Sequence, residues 1–154
     1  KDRLMPDIAK AIAKEKPVVI RNPYSVRPWQ HVLEPVVAYL LLGANLANDP
    51  LRFGQAYNFG PHLSDALPVQ EMLKLAIASW GKGNYIVDQI EGQLHEAGLL
   101  KLDISKSIFE LNWQPKMNAQ QAVTMTIDWY SFFSHNPKMI IDFTTKQIDH
   151  FFKL

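Results

Sequence analysis

The residues best suited to chemistry lie in one run, Arg27-Pro28-Trp29-Gln30-His31-Val32-Leu33-Glu34-Pro35. A guanidinium presents a fixed fork of donors that matches the oxygens of a pyrophosphate. At a strand end between two prolines, Arg27 would be held stiffly enough to use that fork. By composition alone the commoner fate of such an arginine is pairing with a nearby carboxylate, and both readings stand at this point. His31, His62, His135 and His150 show no metal-ligand spacing. His31 alternates with Trp29 and reads as a satisfied core residue. With 0 cysteines, the chain has no disulfide, no thiolate metal site and no cysteine nucleophile. Nor does it contain the glycine-rich phosphate loop whose close backbone approach a dinucleotide needs at a helix start.

The elements that must position Arg27 follow from spacing. Leu4, Ile8, Ala11 and Ile12 share a helical face, with Asp2 as cap, Pro6 in the first turn and Pro17 as stop. Val18-Val19-Ile20 is a short β-branched strand, and Asn22-Pro23 makes a turn. Trp29–Val32 reads as the next strand, entered through Pro28. Glu34-Pro35 opens a second helix, with Pro35 at its first position. Its residues Val36, Val37, Leu40, Leu41 and Ala44 leave little polar surface, so it is expected to be mostly covered. Residues 45–50 read as a loop, and Ala56-Tyr57-Asn58-Phe59 as a strand closed by Gly60-Pro61.

A third helix starts after Pro68. Val69, Met72, Leu73, Ala76, Ile77 and Trp80 form its inner face and Gly81 its stop. Tyr85-Ile86-Val87 could be another strand, and Leu99–Leu102 is extended. Asp103 or Ser105 caps a small helix that ends at Leu111-Asn112-Trp113-Gln114-Pro115. Asn118 and Gln121 form a capping box for a helix facing inward through Ala122, Met125, Thr126, Trp129, Phe132 and Phe133. Thr144 and Gln147 repeat that spacing before a last helix. Trp80, Trp113 and Trp129 read as core.

At 154 residues the chain has the size of one domain and can bury a real core. Hydrophobic residues are 47% and charged residues 20%, a globular rather than a disordered balance. A net charge of +1 with no basic tract favours neither nucleic acid nor an anionic membrane as partner. Val36–Leu46 is the most apolar stretch and is shorter than the roughly 20 residues a spanning helix needs. A fold class of α+β follows, mostly helical with a few short strands, too poor in strand–helix alternation for a complete doubly wound sheet. No internal repeat or linker divides residues 1–154.

Five phrases in order carry a resemblance: Asp2-Arg3-Leu4-Met5-Pro6, Arg27 through Val32, Tyr57-Asn58-Phe59-Gly60, His95-Glu96 and Leu111-Asn112-Trp113-Gln114-Pro115. Together they resemble the C-terminal part of extended short-chain dehydrogenase/reductases acting on nucleotide sugars. Among these the 4,6-dehydratases, and their cytidine-sugar branch, are most similar. The resemblance implies that Arg27 contacts the substrate diphosphate. It implies that Arg3 lies near phosphate while the backbone around Leu4 lies near the base. By the same likeness Asn58 bonds the diphosphate side and Glu96 accepts bonds from the ribose hydroxyls. Read without it, Arg3 is a solvated charge, Leu4 helix packing, Asn58 a turn asparagine and Glu96 a surface charge. Gln93 stands where many relatives carry a phosphate-binding arginine, and Asn112 replaces a glycine.

The family's Tyr-x-x-x-Lys acid/base pair is absent, since Tyr24, Tyr39, Tyr57, Tyr85 and Tyr130 all lack a lysine four residues on. The expectation is therefore a substrate-binding fragment, without catalytic residues of its own, that does not hold NAD unaided. NAD and the chemistry would come from an N-terminal half outside this chain. The intact enzyme would be a cytoplasmic lyase that oxidises the sugar at C4, eliminates water across C5–C6 and returns the hydride to C6. Left without that half, the helix at Pro35–Leu46 is expected to associate with another copy, giving a homo-oligomer. A different family member, such as an epimerase, is one alternative. A non-catalytic helical module that binds a partner protein is the other; it predicts an exposed apolar patch and no ligand pocket.

Overall fold

The computed structural model describes residues 3–88 and 98–154. Helix α1 (Leu4–Ala13) starts at Arg3, whose backbone N–H donates to the Asp7 carboxylate at 3.1 Å. Asp2, the expected cap, lies outside the described residues. The helix ends before Pro17, where Glu15 takes a left-handed conformation at φ 55°. Strand β1 (Val18–Ile20) then pairs in parallel with β4 (Tyr85–Val87), Val18 opposite Tyr85. Between them in the chain lies α4 (Val69–Trp80), closed by Gly81 at φ 82°, a conformation that glycine adopts without strain. Strand β2 (Val26–Arg27) pairs antiparallel with β3 (Leu67–Pro68), and Val26 also bridges to Leu99.

Helix α6 (Ala119–His135) joins two of the three cores. Its Val123 and Ile127 pack with Ile8 and Ile12 of α1, Val18 and Ile20 of β1, and Leu73 of α4. Its Ala122 and Met125 pack with Phe151 of α7 (Ile140–Lys153). The third core joins Ala38 of α2 (Leu33–Asn48), Phe53 of α3 (Pro50–Phe53), Phe59, and Leu111 of α5 (Ser105–Leu111) with Trp113. The capping box at Asn118 and Gln121 forms in full. Asn112 takes the left-handed conformation at φ 51° that its place after α5 requires. Among the described residues no helix is long and apolar enough to cross a membrane.

Several expectations are corrected. Residues 28–32 form no strand: the strand is Val26–Arg27, and the chain beyond it is held by side chains reaching distant backbone. Trp29 Nε1 donates to Leu67 O at 3.0 Å and Gln30 Nε2 to Phe59 O at 2.9 Å. Residues 56–59 form no strand either: Asn58 O accepts from the Ser107 side chain of α5, and the Asn58 side chain donates to the backbone O of Asp103 just before that helix. Residues 45–48 continue α2, and α3 follows. Thr144 and Gln147 do not cap. They lie inside α7 and fasten it to α6, Thr144 Oγ1 accepting from Trp129 Nε1 at 2.8 Å and Gln147 Nε2 donating to Met125 O at 2.7 Å. Only Trp113 of the three tryptophans read as core is buried; Trp80 and Trp129 are half-buried.

The largest correction concerns α2. Only Glu34 and Ala38 are buried there, whereas Tyr39 is 63% and Leu40 69% exposed. One apolar face of the helix packs on α3 and α5, and the other stays open.

Candidate functional site

A cleft of about 1020 Å³ opens between the first turns of α1, the end of β1 and the β2–α2 connection. It brings together Arg3, Leu4 and Arg27, three of the residues singled out from sequence. Each arrives by a different route. Arg3 and Leu4 are carried by the start of α1, whose inner face is anchored by Ile8 and Ile12. Arg27 ends β2, whose register against β3 sets Arg27 opposite Leu67. Its Nη1 donates to Val26 O at 2.9 Å, which leans the guanidinium on its own strand. Trp29 also lines the cleft, with its indole N–H already satisfied by Leu67 O.

Sequence reasoning passed over Arg21. It lines the same cleft, so among the described residues three arginines and the carboxylate of Asp7 line it. A signal for Arg21 existed: it directly follows Val18–Ile20, and open α/β sheets hold ligands at the carboxyl ends of their strands. A guanidinium suits a diphosphate, since it can give two parallel charge-assisted bonds to phosphate oxygens. Among the described residues no group of three or more metal-ligating side chains occurs.

Asn58 is not among the residues lining the cleft. Its Nδ2 donates to Asp103 O at 3.1 Å and its carbonyl accepts from Ser107 Oγ at 2.6 Å. Those bonds tie the 54–62 segment to α5, which is the part a turn asparagine would play. Glu96, with Gln93 and His95, lies outside the described residues.

Two buried titratable side chains, His31 and Glu34, follow the cleft residues Arg27, Pro28 and Trp29 in the chain. His31 is 6% exposed, as expected of a satisfied core histidine, and its Nδ1 accepts the Leu33 N–H at 3.2 Å. Burial disfavours the imidazolium and lowers the pKa from 6.5 to about 4. The neutral ring therefore favours the fold above pH 6.5, and this contribution is lost as pH falls towards 4. It amounts to about 3 kcal/mol. Glu34 acts in the opposite sense. Burial raises its pKa above 4.5, so its contribution is full below that value and declines as pH rises through the raised one. Thermal melts between pH 4 and 6.5 should accordingly show a weaker pH slope in His31→Gln than in the unaltered chain. Equal slopes would mean that His31 titrates normally.

No protein-family model matches the chain. It is 37% identical over 142 residues to CDP-glucose 4,6-dehydratase of Salmonella typhimurium, covering 92% of this chain and 39% of that protein. It is 27% identical over 106 residues to dTDP-glucose 4,6-dehydratase of Streptomyces antibioticus, covering 69% of this chain and 30% of that protein. In structure it resembles UDP-glucuronic acid 4-epimerase of Bacillus cereus, solved with NAD and a fluorinated UDP-sugar, at a TM-score of 0.69 and 15% identity. That match covers 84% of this chain and 40% of the epimerase. UDP-glucose 4-epimerase of Thermotoga maritima, solved with UDP-glucose, gives a TM-score of 0.62 at 19% identity, over 83% of this chain and 39% of that one. The chain thus spans about two fifths or less of each relative. The resemblance read from its phrases extends over nearly its whole length, and its fold is that of the corresponding part of the epimerases.

Proposed function

We propose, from that likeness to nucleotide-sugar dehydratases, that the chain is the nucleotide-sugar-binding portion of a CDP-glucose 4,6-dehydratase. The observation that carries this reading is the meeting of Arg3, Leu4 and Arg27 in one cleft, from positions up to 24 residues apart in a chain 37% identical to such an enzyme. Arg27 anchors the diphosphate, Arg3 assists it, and the first turn of α1 around Leu4 lies against the base. Asn58 and Glu96 remain candidates for the diphosphate side and the ribose. Binding of this remote kind matters to catalysis because it fixes the sugar against the reacting groups.

The residues of this chain do not fit NAD. It has neither the glycine-rich phosphate loop nor the Tyr-x-x-x-Lys pair. We place NAD and the acid/base groups in a part of the protein outside residues 1–154, and expect the isolated chain to be inactive. In the whole enzyme NAD, held outside these residues, would supply the redox chemistry for loss of water from the sugar, while Arg27, Arg3 and the turn around Leu4 would hold the nucleotide end of the substrate. The product is a 4-keto-6-deoxy nucleotide sugar. A cytoplasmic location fits a cysteine-free chain that binds such a substrate.

A second reading, another nucleotide-sugar dehydratase or an epimerase, is favoured by the structural likeness to two UDP-sugar epimerases. A helical protein-binding module accounts for the open face of α2 but not for the arginine-lined cleft. Calorimetric titration of the full-length protein with CDP-glucose and with GDP-mannose separates these. Preference for CDP-glucose is expected. Equal binding defeats the cytidine assignment, and no binding of either defeats the nucleotide-sugar site. Homo-oligomerisation through the open face of α2 is expected to show as a solution mass above that of one chain; a monomer would contradict it.

A further inference from the structure

Arg21 is the cleft arginine to which the diphosphate assigns no task. On the reading above, Arg27 and Arg3 face the diphosphate. Arg21 has no ion pair or hydrogen bond among the described residues. It is exposed and lines the cleft.

Its surroundings suit a ring. Val19, two residues earlier, is the outward side chain of β1 and is 53% exposed, while Val18 and Ile20 face the core. Arg21 directly follows the strand and lines the same cleft as Val19. Leu4 and Met5 line the cleft as well. A planar group can lie on these aliphatic side chains with its edge towards the guanidinium.

We propose that Arg21 determines nucleobase specificity by donating two hydrogen bonds to the O2 and N3 edge of cytosine. The inference rests on the nucleotide-sugar reading of the cleft. A guanidinium can only donate. Cytosine presents two adjacent acceptors, O2 and N3, which the planar fork can meet together. Uracil and thymine carry a hydrogen on N3, so that position becomes a donor facing a donor. One bond is then lost and a desolvated N–H is left without an acceptor. Arginine makes the equivalent two-bond match to the adjacent acceptors of guanine in DNA, where one good pair gives about 10- to 100-fold discrimination.

The test is a set of titrations of the full-length protein and its Arg21→Met and Arg27→Met variants with CDP-glucose, UDP-glucose, cytidine and uridine. The unaltered protein should prefer CDP-glucose over UDP-glucose. Arg21→Met should lower that preference by about 10- to 100-fold while changing UDP-glucose affinity little, and should erode the preference for cytidine over uridine, which carry no phosphate. Arg27→Met should weaken both sugar nucleotides alike and leave the nucleosides unaffected. If Arg21→Met weakens both sugar nucleotides equally, Arg21 is a phosphate contact and the proposal is overturned; no change of preference overturns it too. An unaltered protein that binds both equally also overturns it, with the nucleotide-sugar site intact. Only failure to bind any of the four ligands removes the underlying reading. Arg21 is exposed, so its variant should fold, which circular dichroism checks.

Discussion

Replacing Glu34 by alanine is expected to cost about 2–5 kcal/mol of stability, a fall in melting temperature of roughly 5–15 °C. Glu34 is 1% exposed, near the start of α2. Its Oε1 accepts the backbone N–H groups of Lys116 and Met117, each at 2.9 Å. These bonds join α2 to the turn that leads into α6, across more than 80 positions of sequence. Alanine strands both donors, and an unmet buried donor carries its full desolvation penalty. Glutamine keeps an acceptor in place. Burial raises the Glu34 pKa and so makes the negative charge costlier to hold there, and Glu34→Gln should stay within about 1 kcal/mol of the unaltered chain near neutrality. Denaturant melts of the two variants decide the matter. Equal losses would mean that the negative charge, not the acceptor, matters.

Replacing Arg27 by methionine should weaken CDP-glucose binding by about 10- to 100-fold, the worth of one charge-assisted two-bond contact. Lysine should recover only part of this, since an ammonium carries the charge without the planar fork. The half-buried guanidinium also bonds Val26 O, so a modest stability loss should accompany the affinity loss and is measured separately by thermal melting. Calorimetric titration of the full-length protein reads the affinity. Unchanged binding in a folded Arg27→Met variant would remove Arg27 from the site, and a lysine variant equal to the unaltered protein would make it a point charge rather than a fork.

Part of the site was legible in advance because its carriers obey local rules. The apolar spacing of Leu4, Ile8 and Ile12 makes α1, and so puts Arg3 at a helix start. The run Val18–Ile20 makes β1. What escaped was Arg21, whose importance depends on which strand end faces which helix. Asn58 shows the converse: its phrase resembles a ligand contact, yet its amide is turned to Asp103 O by the packing of α5. Its role at the diphosphate therefore rests on the resemblance rather than on the cleft.

Sequence by itself determined the features that close within a few residues. The α4 stop at Gly81, the left-handed Asn112 and the Asn118–Gln121 capping box all arise from contacts three to five positions apart. Only the tertiary structure decided what residues 28–32 would be. Their alternation resembles a strand, but a strand exists only where another strand supplies its backbone partners, and here Leu67 O and Phe59 O accept from side chains instead. It likewise buried Glu34, which composition would leave on the surface, by bringing two unpaired N–H groups to it. The cleft belongs to the same class. Arg3, Arg21 and Arg27 face one space because α1 and β1 pack around one core while β2 is held by its pairing with β3, and no pattern confined to neighbouring residues contains that information.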